Sequence, residues 1–133
     1  MTFDLSVIER ALASLNRAVE RSTGAPADEE LRDAVIQRFE YTMDLAWKAM
    51  HRDLKNAGVS DAAFRTKRDL FREAGAAGLI GDPELWFGFL EARNATSHIY
   101  NAAVAVRVYR QALAFAGEME SLLSELRRRH AGS

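Results

Sequence analysis

The chain has 133 residues, of which 48% are hydrophobic and 28% charged, with two prolines and a formal net charge of −1. This length suits one domain spanning residues 1–133, and the composition excludes a disordered chain and a fibrous repeat. Because the charge is near zero, no global positive field indicates nucleic-acid binding, and any RNA contact would require a local basic patch.

The first predicted element is an amphipathic helix over residues 4–22. The start is capped either by a capping box of Ser6 with Glu9 or by Asp4. The apolar residues alternate in steps of three and four and form one stripe: Leu5, Ile8, Leu12, Leu15 and Val19. This segment carries acids where a signal peptide is basic and apolar, and no stretch reaches membrane-spanning length. We therefore expect a cytoplasmic protein without membrane contact.

A longer second helix is predicted over residues 29–57. Asp28, followed by Glu29 and Glu30, gives an acidic start that the helix dipole favours, and Gly58 marks the end. The apolar residues cover more than one narrow seam: Leu31, Val35, Ile36, Phe39, Met43, Leu45, Trp47, Met50 and Leu54. We therefore expect this helix to be the central one.

Two helices are predicted next. The short third helix starts at a capping box of Thr66 with Asp69, runs through Phe71 and ends in a glycine cluster at residues 75, 78 and 81. The sequence Asp82-Pro83-Glu84 places a capping aspartate, a proline at the first helical position and an acid in the first turn. The fourth helix therefore begins there.

The last predicted helix carries a stripe in unbroken three-four alternation over about three heptads: Ala105, Val108, Ala112, Phe115, Met119, Leu122 and Leu126. A second strip of Leu113, Ala116 and Leu123 lies beside it, which suggests one partner inside the domain and another on a second chain. The Arg-Arg-Arg-His tail at residues 127–130 is expected to be a solvated helix end. Since only a brief Ala-Val-Ala-Val alternates with period two, the sequence predicts an all-α bundle of about five helices.

The stretch RNATSHIY, residues 93–100, directly follows the hydrophobic run LWFGFL. Arginine offers a permanently charged, planar fork of donors for phosphate, and histidine exchanges protons near neutral pH. The pair can cleave RNA without metal if His98 takes the proton of a ribose 2′-hydroxyl and Arg93 stabilises charge on the phosphate oxygens. The polar neighbours would orient the imidazole or the phosphate: Asn94, Thr96 or Ser97. Taken alone, an Arg and a His at this spacing are more often accidental.

The spacing of Arg93 and His98 sets a constraint. Five residues of regular helix rotate by roughly 500°, which leaves the two side chains about 140° apart. Either the helix breaks between them, or two copies combine their groups across a two-fold axis. We expect the fourth helix to supply the apolar surface of such a dimer: Leu85, Trp86, Phe87, Phe89 and Leu90.

RNATSHIY resembles the R-N-x-x-S-H-x-Y signature of HEPN domains in the nucleotidyltransferase substrate-binding protein group. These are small bacterial helical proteins encoded beside a minimal nucleotidyltransferase. Other segments match in the same order: RFEYTMDLAWK at 38–48, REAGAAGLI at 72–80, and the helix of Trp86 leading into Arg93. The resemblance covers nearly the whole chain. It implies a HEPN-like antiparallel helical bundle that forms a homodimer, with Arg93 and His98 of both subunits lining one cleft.

The resemblance also implies an activity and its control. Related HEPN proteins are metal-independent endoribonucleases, often the toxin of a toxin–antitoxin pair in which the minimal nucleotidyltransferase is the antitoxin. In some pairs the nucleotidyltransferase attaches AMP to the tyrosine of the His-x-Tyr element, which is Tyr100 here. An older view of the same group is a non-catalytic subunit that binds nucleotide or substrate for the nucleotidyltransferase. A plain helical scaffold is the third interpretation.

Further charged residues are candidates for the cleft or the partner surface. Glu40, Asp44 and Lys48 stand at four-residue steps and are expected to form an ion network on the second helix, with a cleft-lining position as the alternative. If RNA binds, we expect phosphate contacts at the densest basic cluster: Arg65, Lys67, Arg68 and Arg72. No metal or cofactor site is predicted, since the chain has no cysteine and no two histidines at helical ligand spacing.

Overall fold

The structure, a computed structural model, describes residues 3–131 and confirms the all-α prediction. The helices are α1 (Ser6–Thr23), α2 (Glu29–Asn56), α3 (Lys67–Ala76), α4 (Pro83–Asn94) and α5 (Ala102–Arg129). Two short 3₁₀ turns, Asp61–Ala63 and Ala95–His98, precede α3 and follow α4. No helix within residues 3–131 is both long enough and apolar enough to cross a bilayer.

The central helix is α2, as the sequence predicts, because it packs against each of the other four. A short loop joins α1 to α2, so the two form an antiparallel hairpin. α5 packs against α1, α2 and α4, while α3 and α4 pack against each other and against α2. The residues after α4 therefore lie where α2, α4 and α5 meet.

An aromatic cluster in the core fixes the position of α4. Phe115 of α5 makes edge-to-face contacts with Phe39 of α2 and with Trp86 and Phe89 of α4, at centroid distances of 5.1, 5.7 and 5.4 Å. All four rings are buried, and each large side chain removed from water stabilises the fold by about 2–3 kcal/mol. α4 is thus held against both long helices.

Side-chain caps fix the helix starts. Asp82, placed just before Pro83, accepts a hydrogen bond of 2.9 Å from the backbone N–H of Glu84 and so sets the start of α4. At α1, Asp4 accepts a bond of 2.9 Å from the backbone N–H of Ser6. The N-cap position of α1 is Leu5, which has no side-chain cap, so neither predicted residue holds that position, and Asp4 binds Ser6 from the residue before it.

The apolar run of α4 fills the protomer's own core. Trp86, Phe87 and Phe89 are buried, whereas Leu85 is 43% exposed and Leu90 is half-buried. The expectation that this run builds a dimer surface is wrong for the three aromatic residues. The physical reason is that α4 packs against α2, α3 and α5, which cover the part of α4 that carries these three rings.

The second apolar strip of α5 also lies inside the protomer. Ala116 and Leu123 are buried, and Leu113 is half-buried. The prediction that this strip faces a second chain is wrong for the two buried residues, because α5 packs against α1 in addition to α2 and α4. The two apolar strips of α5 therefore pack against other helices of the same chain.

The end of α5 is anchored through Arg129 and His130, which corrects the expectation of a solvated tail for these two residues, whereas Arg127 and Arg128 are exposed as expected. Asp53, only 4% exposed, accepts a hydrogen bond of 3.0 Å from Nη1 of Arg129 and pairs with Nε2 of His130. Glu125 also pairs with Arg129 at 3.0 Å, and hydrogen bonds from Arg128 and then Arg129 lower the pKa of Glu125 to about 2. These contacts tie the last turn of α5 to α2 because a buried carboxylate requires charged partners.

Candidate functional site

RNATSHIY spans a change of helix type. α4 ends at Asn94, a 3₁₀ turn covers Ala95–His98, and α5 begins at Ala102 after the capping residue Asn101. The side-chain oxygen of Asn101 accepts hydrogen bonds from the first N–H groups of α5. The regular helix therefore breaks between Arg93 and His98, which is one of the two arrangements that their spacing allows.

The guanidinium of Arg93 is held by a carboxylate of α2. Nε donates to Oδ1 of Asp44 at 2.9 Å and Nη2 donates to Oδ2 at 3.0 Å, which makes a bidentate pair. Nη1 lies 3.6 Å from Oε1 of Glu40. The side chain of Arg93 is 29% exposed, so the pair stands at the edge of the bundle and not in its core. Two acids of α2 thus face one arginine of α4.

This arrangement replaces the predicted ion network along α2. Glu40 and Asp44 face Arg93 of the neighbouring helix, and within residues 3–131 neither makes an ion pair along α2, so the cleft-lining alternative stays a prediction. The hydrogen bonds from Arg93 lower the pKa of Asp44, with further help from the positive charges of Arg93, Lys48 and Lys67. The same bonds raise the pKa of Arg93, so the pair is ionised at neutral pH.

The bidentate pair leaves one edge of the guanidinium less occupied. Asp44 takes the Nε and Nη2 positions, while Nη1 has only a long contact of 3.4 Å to Oγ1 of Thr96 and the ion pair with Glu40. Thr96 itself donates to the backbone carbonyl of Arg93 at 2.9 Å and is thereby fixed. The Nη1 edge is the part of Arg93 that can turn toward an anion.

His98 and Tyr100 stand together at the surface. Nδ1 of His98 lies 3.4 Å from Oη of Tyr100, and the two rings meet edge to face with centroids 5.9 Å apart. Tyr100 is 84% exposed, and the predicted supporting residues Asn94 and Ser97 are exposed as well. Among the described residues no hydrogen bond joins Arg93 to His98: Arg93 pairs with Asp44, and His98 contacts Tyr100.

A small hollow adjoins the Arg93 pair where α2, α3 and α4 meet. It has a volume of about 110 Å³ and is lined by Met43, Asp44, Trp47, Lys67, Leu90, Arg93 and Asn94. Nζ of Lys67 lies 4.7 Å, and Nζ of Lys48 5.7 Å, from the centroid of a Trp47 ring. A larger hollow of about 410 Å³ between α1 and α2 contains no residue of RNATSHIY. Of the RNATSHIY residues, Arg93 and Asn94 therefore line the smaller hollow, whereas His98 and Tyr100 do not.

The predicted basic cluster divides into two kinds of residue. Arg68 pairs with Glu91 at 2.9 Å, and Arg72 pairs with Asp69 at 3.0 Å. Both guanidinium groups also lie about 5 Å from the ring of Phe87. Lys67 differs, because it faces the hollow and has no ion pair within 4 Å among residues 3–131. Arg72, a predicted cleft candidate, is thus paired with Asp69 and packed on Phe87, whereas Lys67 has no carboxylate partner among the described residues that would hold it away from an anion.

Two features of the site escape reasoning from sequence. Spacing predicts that Asp44 pairs along α2, yet it orients Arg93, and periodicity places Trp47 in an apolar seam, yet it lines the hollow. The signal for Asp44 is its place in the segment RFEYTMDLAWK, which resembles a family segment. Within residues 3–131, no three or more side chains of His, Cys, Asp or Glu come together in a way that could hold a metal ion.

Comparison with known proteins gives consistent matches over nearly the full chain. A family model described as nucleotidyltransferase substrate binding protein like matches residues 3–128. A relative from Haemophilus influenzae called probable ribonuclease HepT is 32% identical, over 96% of this chain and 94% of the relative.

Solved structures agree with these matches. A structure from Haemophilus influenzae, described as revealing the fold of a substrate binding domain of a nucleotidyltransferase, superposes with a TM-score of 0.85 at 31% identity. The match covers 93% of this chain and 99% of that one. A crystal structure of a protein from Thermus thermophilus superposes with a TM-score of 0.79 at 33% identity, covering 91% of this chain and 99% of that one.

Proposed function

Since the chain belongs to the nucleotidyltransferase substrate binding protein like family, we propose that it is a metal-independent endoribonuclease toxin. The toxin acts as a homodimer, and its antitoxin is a minimal nucleotidyltransferase. The observation that carries the proposal is the placement of Arg93 and His98 on either side of a helix break, with His98 exposed to solvent. The relative called probable ribonuclease HepT supports the reaction class.

The proposed reaction uses the 2′-hydroxyl of RNA as the nucleophile. His98 takes the hydroxyl proton, the 2′-oxygen bonds to phosphorus, and the bond from phosphorus to the 5′-oxygen breaks. The departing 5′-oxygen receives a proton from the partner subunit's His98, which leaves a 2′,3′-cyclic phosphate and a 5′-hydroxyl. Nη1 of Arg93 donates to the phosphate oxygens as negative charge develops. The exposed Asn94 and Ser97 orient the phosphate.

A homodimer supplies what one protomer lacks. In the single chain, Arg93 faces two carboxylates and His98 faces Tyr100, with no direct bond between the arginine and the histidine among the described residues. Two copies related by a two-fold axis would bring both pairs to one cleft. The acidic partners orient Arg93, and the second subunit adds the second histidine.

Tyr100 is the proposed site of control by AMP. Its phenol is 84% exposed and lies 3.4 Å from Nδ1 of His98. A modifying enzyme can therefore reach the hydroxyl, and an attached AMP would place a phosphate and a nucleoside beside the catalytic imidazole. Such a group would block the approach of RNA.

A second candidate function is binding without cleavage. The solved structure described as a substrate binding domain of a nucleotidyltransferase is 31% identical to this chain. In addition, Asp44 and Glu40 together outweigh the charge of Arg93. This candidate predicts affinity for a nucleotide or for the nucleotidyltransferase, with no cleavage of RNA.

RNA cleavage in the presence of EDTA tests the proposal with four preparations. Two preparations, wild type and His98→Ala, are made without the nucleotidyltransferase. The other two, wild type and Tyr100→Phe, are each co-produced with it. We expect cleavage by wild type and a loss of at least about 100-fold in His98→Ala, because a general base typically contributes 10²–10⁴-fold. His98 is exposed, so circular dichroism of His98→Ala should be unchanged.

The co-produced preparations test the control by AMP. Wild type should carry AMP by mass spectrometry and should be inactive, whereas Tyr100→Phe should carry none and should still cleave. Wild-type chain that binds RNA or nucleotide but leaves RNA intact would establish the second candidate instead.

A further inference from the structure

We propose that the hollow beside Arg93 is a nucleotide subsite for single-stranded RNA, in which Trp47 stacks on a base and Lys67 and Lys48 bind the flanking phosphates. The inference rests on the proposed ribonuclease function and adds the way in which the substrate is held. The three residues proposed to bind RNA lie outside RNATSHIY, with Trp47 and Lys48 in α2 and Lys67 in α3.

A phosphate can bind beside Arg93 only if cations other than Arg93 offset the neighbouring carboxylates. Asp44 and Glu40 lie against the guanidinium, so this group of three carries one net negative charge. A phosphate approaching Arg93 would be repelled by that group. Lys48 and Lys67 lie close enough to Asp44 to lower its pKa, and with them the five residues carry one net positive charge. The two lysines thus decide the sign of the field at the hollow.

Both lysines are free to serve this purpose. The third lysine of the chain, Lys55, pairs with Asp61 at 2.8 Å. Within residues 3–131, by contrast, neither Lys48 nor Lys67 has an ion pair inside 4 Å, and both are exposed. Their nearest described aromatic partner is the ring of Trp47. A cation that lacks a carboxylate partner can move to a phosphate at low cost.

The ring of Trp47 is the platform that a base would use. Trp47 is half-buried and lines the hollow, whereas Trp86 lies in the core with no exposed surface. An exposed lysine on an aromatic face gains about 0.5–1 kcal/mol, while a base stacked on such a ring gains about 1–3 kcal/mol. A base can therefore displace Lys67 from the ring, and the released ammonium group turns to the adjacent phosphate.

Titration with a short 2′-O-methyl oligouridine tests the subsite, because this RNA lacks the nucleophile and cannot be cleaved. Tryptophan fluorescence is the readout, since Trp47 is the partly exposed member of the two tryptophans. We expect RNA to quench the wild-type emission, and Trp47→Phe to lose the quenching.

The variants should also differ in affinity. Trp47→Ala should weaken binding by roughly 5- to 150-fold, which corresponds to the stacking of one base. Lys67→Ala should weaken binding and lower the slope of log K against log salt by about 0.7, as expected for one lost phosphate contact on a single strand. Lys55→Ala is the matched control and should bind as wild type, because Lys55 is paired with Asp61 away from the hollow.

Cleavage of unmodified RNA shows whether a negative result overturns the proposed subsite alone or the proposed ribonuclease function as well. If wild type cleaves RNA while Trp47→Ala and Lys67→Ala bind the oligouridine as tightly as wild type, the subsite is overturned and the nuclease stands. If wild type neither binds nor cleaves, both proposals fall. If the two variants lose the nucleotidyltransferase but keep RNA affinity, the hollow is a protein-binding surface and the subsite is overturned. Lys67 is exposed at the start of α3, so Lys67→Ala keeps the test valid even if Trp47→Ala fails to fold.

Discussion

One carboxylate, Asp44, determines which edge of Arg93 can meet a substrate. The bidentate pair occupies Nε and Nη2 and leaves Nη1 directed toward Thr96 and Glu40. Asp44 therefore positions Arg93, and in the proposed reaction it does not itself contact RNA. If the chain binds RNA as proposed, the negative charge of the same carboxylate opposes that binding, so removal of the charge should affect the orientation of Arg93 and the affinity for RNA in opposite directions.

Asp44→Asn tests these opposite effects. We expect the kcat of RNA cleavage to fall about 10- to 100-fold, because a loosely held guanidinium misplaces its donors. KM should stay equal or fall, since one repulsive charge is removed. Asp33→Asn is the matched control, because Asp33 is another aspartate of α2 that pairs with an arginine, at 3.0 Å. A rise in KM with unchanged kcat would show that Asp44 does not position Arg93.

At the scale of elements, the close approach of α3 and α4 depends on a glycine inside a helix. A Cβ placed on Gly75 would lie 2.6 Å from Cγ and 3.2 Å from Cδ of Pro83, the first residue of α4. The proline ring is rigid, so it cannot move aside as a long side chain would. The sequence marks Gly75 only as the approach of a helix end, whereas the structure shows that its missing side chain makes room for α4.

Gly75→Ala should therefore destabilise the fold. Replacement of glycine by alanine inside a helix gains about 0.5–1 kcal/mol, but forcing a methyl group into a filled contact costs about 1–3 kcal/mol. The second effect is larger, so thermal unfolding should occur a few degrees lower. Gly117→Ala is the control: Gly117 lies inside α5 with no heavy atom within 4 Å of an added Cβ, and this variant should unfold at a higher temperature. Equal shifts in both variants would contradict the packing argument.

At the scale of the whole molecule, one protomer packs its own core, and in our proposal a second copy completes the catalytic site. Its apolar surfaces are largely used internally, since the aromatic residues of α4 and much of the second strip of α5 are buried within one chain. The proposed homodimer therefore has a surface other than the one that the hydrophobic pattern suggests. The polar residues of RNATSHIY, exposed at the junction of α4 and α5, lie at that surface in our proposal.

Mixed dimers test whether the site is shared. Arg93→Ala and His98→Ala homodimers should both be inactive. Co-produced with different tags, wild type and the double variant Arg93→Ala/His98→Ala should form a heterodimer in which the one intact arginine and the one intact histidine belong to the same chain. Because the proposed reaction uses the histidine of each subunit, this heterodimer should be at least about 100-fold less active than wild type. A heterodimer with roughly half of the wild-type activity, and with dimer mass confirmed by light scattering, would place each site within a single chain.

The sequence alone determined the helical class, the centrality of α2 and the candidate pair Arg93 and His98, because periodicity, capping residues and local motifs are properties of neighbouring residues. It also predicted the break between that pair as one of two options. Only the tertiary structure decided that Asp44 pairs with Arg93, that Asp53 binds the end of α5, and that Trp86 faces inward. The two ion pairs join residues 49 and 76 positions apart, and the burial of Trp86 depends on which neighbours surround its helix. The spacing of residues along the chain carries no information about these ion pairs or about the burial of Trp86.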